Sequence, residues 1–261
     1  MYKYKSSRNF LIKRNLKLFK EEYNWDYKFL KSPYNKLKTV FNLEVAAVLL
    51  FFVSNTNLKA NHVTLFGVIW VYIGTVLISI NNNFWILFGL IIYFTKLIPD
   101  YVDGTLAHLK KEQSKEGFEL DLWAGEINKL GVITGTLFYI FNITNQNIYL
   151  FILIIILILN IIDPRKHLSR TKFGVSKYNK KLKSHTILVK KNESLIFTFL
   201  KFLNYDGRTN YSDFVILLIL LDIFYQINLI LIYLPWLWLV LSCLILIRAK
   251  YLVFFKRNRK I

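Results

Sequence analysis

Residues 84–107 read FWILFGLIIYFTKLIPDYVDGTLA, an apolar run whose final third carries two carboxylates. Its length matches the roughly 20 residues that a helix needs to cross the hydrocarbon core of a bilayer. The whole chain agrees, because 54% of its 261 residues are hydrophobic and 17% are aromatic. Such a composition excludes an ordinary soluble domain and a disordered chain. The sequence therefore predicts an all-α integral membrane protein.

The charge of the chain is strongly positive, with 35 Lys+Arg against 16 Asp+Glu and a net charge of +19. This charge must lie outside the membrane spans, because ionised groups are costly in hydrocarbon. The basic stretches carry no recognisable nucleic-acid motif, so we expect membrane lipids and no nucleic acid as partners. A single cysteine, Cys243, excludes disulfides within the chain and a Cys-based zinc site.

Six apolar segments are predicted membrane spans: 62–80, 84–107, 117–141, 147–162, a segment that begins near Ser212, and 229–247. Residues 40–54 contain Glu44 and number only about 15, so we predict an interfacial helix there instead of a span. The turn between spans five and six falls at Gln226 or closer to Pro235. In the second case Asp222 lies deeper in the bilayer.

The loops predict the orientation. Loops 81–83, 142–147 and 226–228 contain no Lys or Arg, whereas loop 108–116 contains three and loop 164–211 contains twelve. Because cytoplasmic loops carry the Lys/Arg excess, both termini and loop 108–116 are predicted to be cytoplasmic, in what we expect to be a bacterial inner membrane.

The N-terminal part is basic. Residues 1–40 hold eleven Lys/Arg against three acids, and we treat them as a cytoplasmic arm that precedes one six-span domain, 41–261. Within the arm, residues 9–19 place apolar side chains among cations. This pattern is typical of an amphipathic helix on an anionic leaflet, and a solvated charged helix is the alternative.

Seven of the sixteen acids fall within residues 100–126. On a helix, Asp100, Asp103, Gly104 and Ala107 share one face, because their spacing is i, i+3, i+4, i+7. On the next helix Gly117 and Asp121 are likewise i, i+4. A short connection lets the two helices pack antiparallel and brings Asp100, Asp103 and Asp121 together at the cytoplasmic surface.

Three adjacent carboxylates repel one another, and divalent cations relieve that repulsion. Ligands that offer only oxygen favour Mg²⁺, Mn²⁺ or Ca²⁺ over Zn²⁺, and Mg²⁺ commonly shares carboxylates with substrate phosphates. Gly104 and Ala107 then let phosphates approach the backbone, although close helix packing also explains small residues. Lys96, four residues before Asp100, is predicted to pair with that carboxylate, hold a substrate phosphate or extend to the membrane surface. Pro99 predicts a kink.

The pattern Asp100-x2-Asp103-Gly104-x2-Ala107-His108-x8-Gly117-x3-Asp121 resembles the signature of the CDP-alcohol phosphatidyltransferases, D-x2-D-G-x2-A-R-x8-G-x3-D-x3-D. His108 stands in place of the arginine and Gly125 in place of the fourth aspartate. Residues 58–64, LKANHVT, are similar to the P-N-x-x-T at the start of the family's first span. Ala60 replaces the proline there, and Asn61 and Thr64 match.

The resemblance implies that Asp100, Asp103 and Asp121 hold two metal ions, Mg²⁺ or Mn²⁺, against the pyrophosphate of a CDP-linked donor. It also implies donor binding near Gly104, Ala107, Gly117, Asn61, Thr64 and Lys96. In the family the fourth aspartate is thought to take the proton of the acceptor hydroxyl, which attacks the phosphorus next to the alcohol and expels CMP.

Other residues near Gly125 are candidates for that base. Glu126 is one residue away, which is about 100° of helix rotation, and its alternative roles are to face the lipid headgroups or to pair with Lys129. His108 has an ordinary pKa of about 6.5 and is a second candidate. Asn128 returns to the face of Asp121 and is able to orient a nucleophile.

Two hypotheses follow. The first is a membrane transferase that moves a phospho-alcohol or phosphatidyl group from a CDP-linked donor to a lipid, polyol or sugar hydroxyl, in phospholipid or surface-glycan biosynthesis. The second is a membrane protein that keeps the metal and nucleotide site but has lost transferase activity. We also expect a homodimer. A transporter fits less well, because the acids cluster at one membrane face and not at the midplane.

Overall fold

The computed structural model describes residues 3–21, 33–162, 210–227, 231–240 and 242–243. Within these ranges every regular element is an α-helix, as predicted. The helices are α1 Tyr4–Glu21, α2 Pro33–Ser54, α3 Ala60–Ser79, α4 Asn83–Thr95, α5 Ile98–Leu109, α6 Lys115–Thr144, α7 Ile148–Ile162, α8 Asn210–Tyr225 and α9 Leu231–Val240. The predicted basic loop 164–211 lies outside the described residues except for its last two positions.

Three stretches of the described helices are long and apolar enough to cross a membrane: Leu37–Ser54, Ala60–Ser79 and Asn83–Leu109. The second and third coincide with the first two predicted spans. The apolar parts of α7 and α9 are shorter, Ile148–Leu159 and Leu231–Val240. Six spans therefore stay a prediction. The described residues support two of them, and the remaining stretch, Leu37–Ser54, lies where we predicted an interfacial helix.

The helix over residues 40–54 is longer than the roughly 15 residues that we predicted for it. This helix, α2, begins at Pro33 and has 22 residues, because proline is well accepted in the first turn and the helix continues through Lys38 and Thr39. Glu44, which argued against a span, is paired with Arg8 of α1. Arg8 Nε donates a hydrogen bond of 2.7 Å to Glu44 Oε2, and Arg8 Nη2 contacts Glu44 Oε1. This carboxylate raises the pKa of Arg8 above its usual value.

The predicted kink in residues 84–107 is confirmed. The run divides into α4 and α5 at Lys96 and Leu97, and Pro99 lies in the first turn of α5. A proline is tolerated there because the first backbone N–H groups of a helix have no partner within the helix. The break falls within one turn of Asp100, the first aspartate of the motif.

Polar loop residues end several helices where the sequence predicted turns. Lys111, Asn145 and Gln226 follow α5, α6 and α8 with φ of 56°, 54° and 55°. A left-handed residue after the last turn is a common way to stop a helix. The backbone N–H of Gln226 donates a 2.8 Å hydrogen bond to Asp222 O. The chain therefore turns at Gln226, and Pro235 lies within α9.

The chain divides into two compact units, Met1–Ile73 with Phe94–Asn128, and Gly74–Tyr93 with Lys129–Ile261. The first unit has a core in which Leu11 of α1 packs with Leu43 and Leu50 of α2 and with Val102 and Leu106 of α5, all at most 4% exposed. The N-terminal arm thus supplies core contacts to the helix that carries the acidic motif.

The second unit buries polar groups that are paired. Tyr93 Oη donates to Gly131 O at 3.1 Å, and Thr75 Oγ1 donates to the same carbonyl at 2.9 Å. Tyr139 Oη donates to Asp222 Oδ2 at 2.6 Å, and both residues are buried. Hydrogen bonding of this kind lowers the cost of burying Asp222 among apolar helices.

Candidate active site

Three carboxylates meet in the first unit. Asp100 and Asp103 lie on consecutive turns of α5, and Asp121 lies in the second turn of α6. One carboxylate oxygen from each residue lies within 4.8 Å of the other two. Asp103 is buried and 6% exposed, whereas the other two are partly exposed. The structure thus brings together the three residues that the spacing predicted to meet.

The connection from α5 to α6 is anchored at the end of α5. Lys110 Nζ donates hydrogen bonds to the backbone carbonyls of Thr56 at 2.7 Å and Leu58 at 2.8 Å. These carbonyls belong to the turn between α2 and α3. A single lysine therefore ties the end of α5 to the turn that leads into α3, and it restrains the helix that carries two of the aspartates.

Asn61 and Gly117 approach each other closely. A Cβ atom at position 117 would lie 3.1 Å from Asn61 Oδ1 and 3.3 Å from Ser114 Oγ. Few real Cβ atoms have contacts this short, so the missing side chain lets the first turn of α6 lie against the first turn of α3. Gly117 thereby sets the position of Asp121, which follows one turn later.

Thr64 contacts one of the three metal-ligand candidates directly. Its Oγ1 donates a 2.6 Å hydrogen bond to Asp103 Oδ2, and both residues are 6% exposed. A hydroxyl that donates to an ionised carboxylate makes a short, strong hydrogen bond. Thr64 was predicted to bind the donor. In the structure its hydrogen bond fixes the orientation of the Asp103 carboxylate.

Arg14 of α1 reaches the same motif and was not among the predicted site residues. Its Nη1 donates a 3.2 Å hydrogen bond to Thr105 Oγ1. A Cβ at Gly104 would lie 3.0 Å from Arg14 Nη2 and 3.2 Å from Nη1, so the guanidinium lies against the glycine. The pattern of residues 9–19 predicted a helix on an anionic leaflet or in solvent, whereas in the structure Leu11 of this stretch packs against α2 and α5.

The remaining candidates occupy varied environments. Glu126 and His108 are exposed, and Ala107 is partly exposed. Lys96 is 7% exposed, in the break between α4 and α5. A Cβ at Gly125 would meet nothing within 4 Å, so the position of the family's fourth aspartate is open.

The donor set of the three carboxylates fits a hard divalent cation. Asp100, Asp103 and Asp121 offer only oxygen, and their atoms are close enough to share ions. Mg²⁺ and Mn²⁺ prefer such ligands. The partial exposure of Asp100 and Asp121 leaves room for water or a substrate phosphate to complete the coordination.

Residues 57–241 match the family model described as CDP-alcohol phosphatidyltransferase. The match covers well over half of the chain and includes all three carboxylates, Thr64 and Gly125. No curated protein matches the chain. The chain is an integral membrane protein, because it has three apolar helices of sufficient length and the enzymes of this family are membrane-bound. The chain belongs to the CDP-alcohol phosphatidyltransferase family.

Proposed function

We propose that the protein transfers a phospho-alcohol or phosphatidyl group from a CDP-linked donor to a hydroxyl acceptor, with release of CMP. Family membership supports a transferase that uses a CDP-alcohol in lipid synthesis. The observation that carries the proposal is the group of three carboxylates within 4.8 Å at the positions of the family's motif. A lipid, a polyol or the sugar of a surface glycan would serve as acceptor.

Asp100, Asp103 and Asp121 would hold Mg²⁺ or Mn²⁺, and the family is typically dependent on divalent metal. When bound, such ions neutralise the charge of the donor's pyrophosphate and stabilise the oxygens that gain charge as CMP leaves. Thr64 keeps the carboxylate of Asp103 in place through its 2.6 Å hydrogen bond. Preorganised ligands of this kind lose little energy to reorientation when the donor binds.

The donor would lie along the small residues beside the carboxylates. Phosphates would approach the partly exposed Ala107 and the guanidinium that lies against Gly104, and Gly117 with Asn61 borders the same region at the start of α6. Lys96, in the break before α5, would contribute positive charge to a phosphate. In this arrangement the donor is bound mainly through close approach of its phosphates to the backbone and through positive charge.

In the transfer step, the acceptor oxygen attacks the phosphorus that carries the donor's alcohol. The bond from that phosphorus to the oxygen of CMP breaks, and CMP leaves with the electron pair. The proton of the acceptor hydroxyl passes to a base, for which Glu126 and His108 are the candidates. Asn128 lies on the face of Asp121, and its Oδ1 is buried without a hydrogen-bond partner among the described residues, so it would accept a hydrogen bond from the acceptor.

A second candidate function rests on Gly125. A family member without the fourth aspartate would bind metal and nucleotide without catalysis if neither Glu126 nor His108 replaces it. The open space at Gly125 shows that no other described side chain fills this position. Activity of the wild-type protein would exclude this alternative.

The proposed function is tested with purified protein in detergent, Mg²⁺, and four donors: CDP-diacylglycerol, CDP-glycerol, CDP-choline and CDP-ethanolamine. We expect acceptor-dependent release of CMP from one of them, and its loss when a chelator removes the metal. Asp121→Asn should abolish the release. Glu119→Gln is the matched control, because Glu119 is an exposed acid on the same helix whose contact with Lys115 is long, 3.8 Å, and of small energetic value.

Normal CMP release by Asp121→Asn would contradict the assignment of the three carboxylates as metal ligands. An equal loss of CMP release in Glu119→Gln would show that the loss is a general effect of removing negative charge. Metal-dependent CDP binding without CMP release from any donor would favour the second candidate function. No binding at all would contradict both functions.

We further propose that the site faces the cytoplasm of a bacterium and that the protein acts as a homodimer. The uncharged outer loops and the basic loop 108–116 support this orientation. In a Cys243→Ser background, a cysteine at Asn145 should react with an impermeant reagent added to cells, and one at Ser114 should not. The opposite labelling pattern would contradict the orientation, and a monomeric mass in light scattering would contradict the dimer.

A further inference from the structure

The guanidinium of Arg14 lies beside the motif although the chain places it about 90 residues away. Its Nη1 donates to Thr105 Oγ1 at 3.2 Å, and both terminal nitrogens lie against Gly104, the residue directly after Asp103. The positively charged guanidinium therefore lies next to the carboxylates, in the space that a side chain at position 104 would fill.

The motif itself lacks a cation that the family pattern contains. The family carries an arginine at the position of His108, and this histidine is exposed on α5. Thr105, which accepts the hydrogen bond from Arg14 Nη1, lies three residues before position 108 on the same helix, so the guanidinium lies about one helical turn from that position. The first unit therefore supplies from α1 an arginine that α5 does not provide.

We propose that Arg14 binds the phosphate groups of the CDP-linked donor and takes the place of the arginine that is missing at position 108. This inference rests on the proposed function, because it assigns a residue to the donor of that reaction. A guanidinium presents five N–H donors in a planar fork that matches phosphate oxygens, and its charge persists at any physiological pH.

The packing of α1 holds Arg14 in this position. Leu11, one turn before Arg14, is fully buried against α2 and α5. Arg8, further toward the N-terminus, makes two hydrogen bonds with Glu44 of α2. The helix is therefore attached at two points, and a preorganised arginine loses less conformational entropy when it binds a ligand.

The test measures CDP binding by calorimetry, with purified protein in detergent and Mg²⁺ and without added lipid. CDP carries the phosphates of the donor without its lipid chains. Arg14→Gln should weaken CDP binding about ten- to a hundredfold, the range expected when a charged group loses its hydrogen bonds to a ligand. Lys13→Gln is the matched control, because Lys13 is an exposed cation on the same helix and its removal changes the net charge equally.

A rescue variant makes the test specific. His108→Arg restores the family's residue at an exposed position, and in the Arg14→Gln background it should recover most of the lost affinity. If Arg14→Gln does not fold, Arg14→Lys decides, because lysine keeps the charge and the aliphatic stem but not the fork. We expect a weakening of several-fold for Arg14→Lys, and unchanged affinity would overturn the inference.

Failure of this inference is distinguishable from failure of the proposed function. If the wild-type protein binds CDP and Arg14→Gln binds it equally well, Arg14 has no donor role while the proposed function stands. The same conclusion follows if Arg14→Gln loses binding only to vesicles of anionic lipid, because Arg14 then contacts headgroups. If the wild-type protein binds no CDP, the proposed function fails and the inference fails with it.

Discussion

Replacement of Thr64 by valine would remove one hydroxyl from the site and change little else. Valine has nearly the shape of threonine, and Thr64 lies on α3 with 6% of its surface exposed. The lost contact is the 2.6 Å hydrogen bond to Asp103 Oδ2. Thr64 Oγ1 also lies 3.3 Å from Ala60 O in its own helix, a weaker contact that disappears as well.

The expected loss of metal affinity follows from the kind of hydrogen bond that Thr64 makes with Asp103. A hydrogen bond to a charged group contributes about 1.5–3 kcal/mol, and each 1.4 kcal/mol is a factor of ten in affinity. Partners that orient metal ligands typically contribute about 10- to 100-fold to metal affinity. We therefore expect Thr64→Val to weaken Mn²⁺ binding by about one to two orders of magnitude.

The assay measures free Mn²⁺ by electron paramagnetic resonance during titration of purified protein in detergent. Thr136→Val is the matched control, because Thr136 is fully buried and its hydroxyl donates at 2.7 Å only to Val132 O in its own helix, among the contacts described. That variant should lose one buried hydrogen bond of a threonine hydroxyl and keep the affinity for Mn²⁺.

Two results would refute this reasoning. Unchanged Mn²⁺ affinity in Thr64→Val would show that the hydroxyl does not support the ligand. An equal loss in Thr136→Val would show that the effect comes from general destabilisation of the helices.

Two further predictions concern the base and the second unit. Glu126→Gln should lower the turnover number by about 10²- to 10⁴-fold with little change in the KM of the donor, and Gly125→Asp in that background should restore turnover, since the added side chain has open space. Unchanged turnover in Glu126→Gln would exclude Glu126 as the base. Tyr139→Phe should destabilise the fold by about 1–3 kcal/mol, measured as a lower midpoint of thermal unfolding, because the buried Asp222 loses a 2.6 Å hydrogen bond. An unchanged midpoint would show that Asp222 finds another partner.

Features that depend on short stretches of the chain were predictable from the sequence. The kink before Asp100 follows from Pro99, since proline cannot donate the hydrogen bond that a continuous helix requires. The turn at Gln226 was one of two alternatives, and the structure selects it. Asp100, Asp103 and Asp121 were expected to meet because the helical period and the short loop 108–116 leave little freedom.

The boundaries of α2 show where a local argument fails. The segment 40–54 was judged too short and too polar for a span because Glu44 counted as an isolated charge. In the structure the helix extends back to Pro33, and Arg8 from another helix pairs with the carboxylate. The residues around Glu44 in the sequence do not indicate that its partner lies 36 positions away.

Three features could be derived from the chain alone: the all-helical class, the positions of several helix ends, and the helix faces that carry the three aspartates. Each of these depends on interactions between residues a few positions apart, which the order of the chain dictates directly. Three other features came from the packing of the helices: Thr64 holds Asp103, Asn61 lies against Gly117, and Arg14 lies against Gly104. These contacts join helices that are distant in sequence, and they depend on how side chains fill the space between packed helices, which no pattern along one helix encodes.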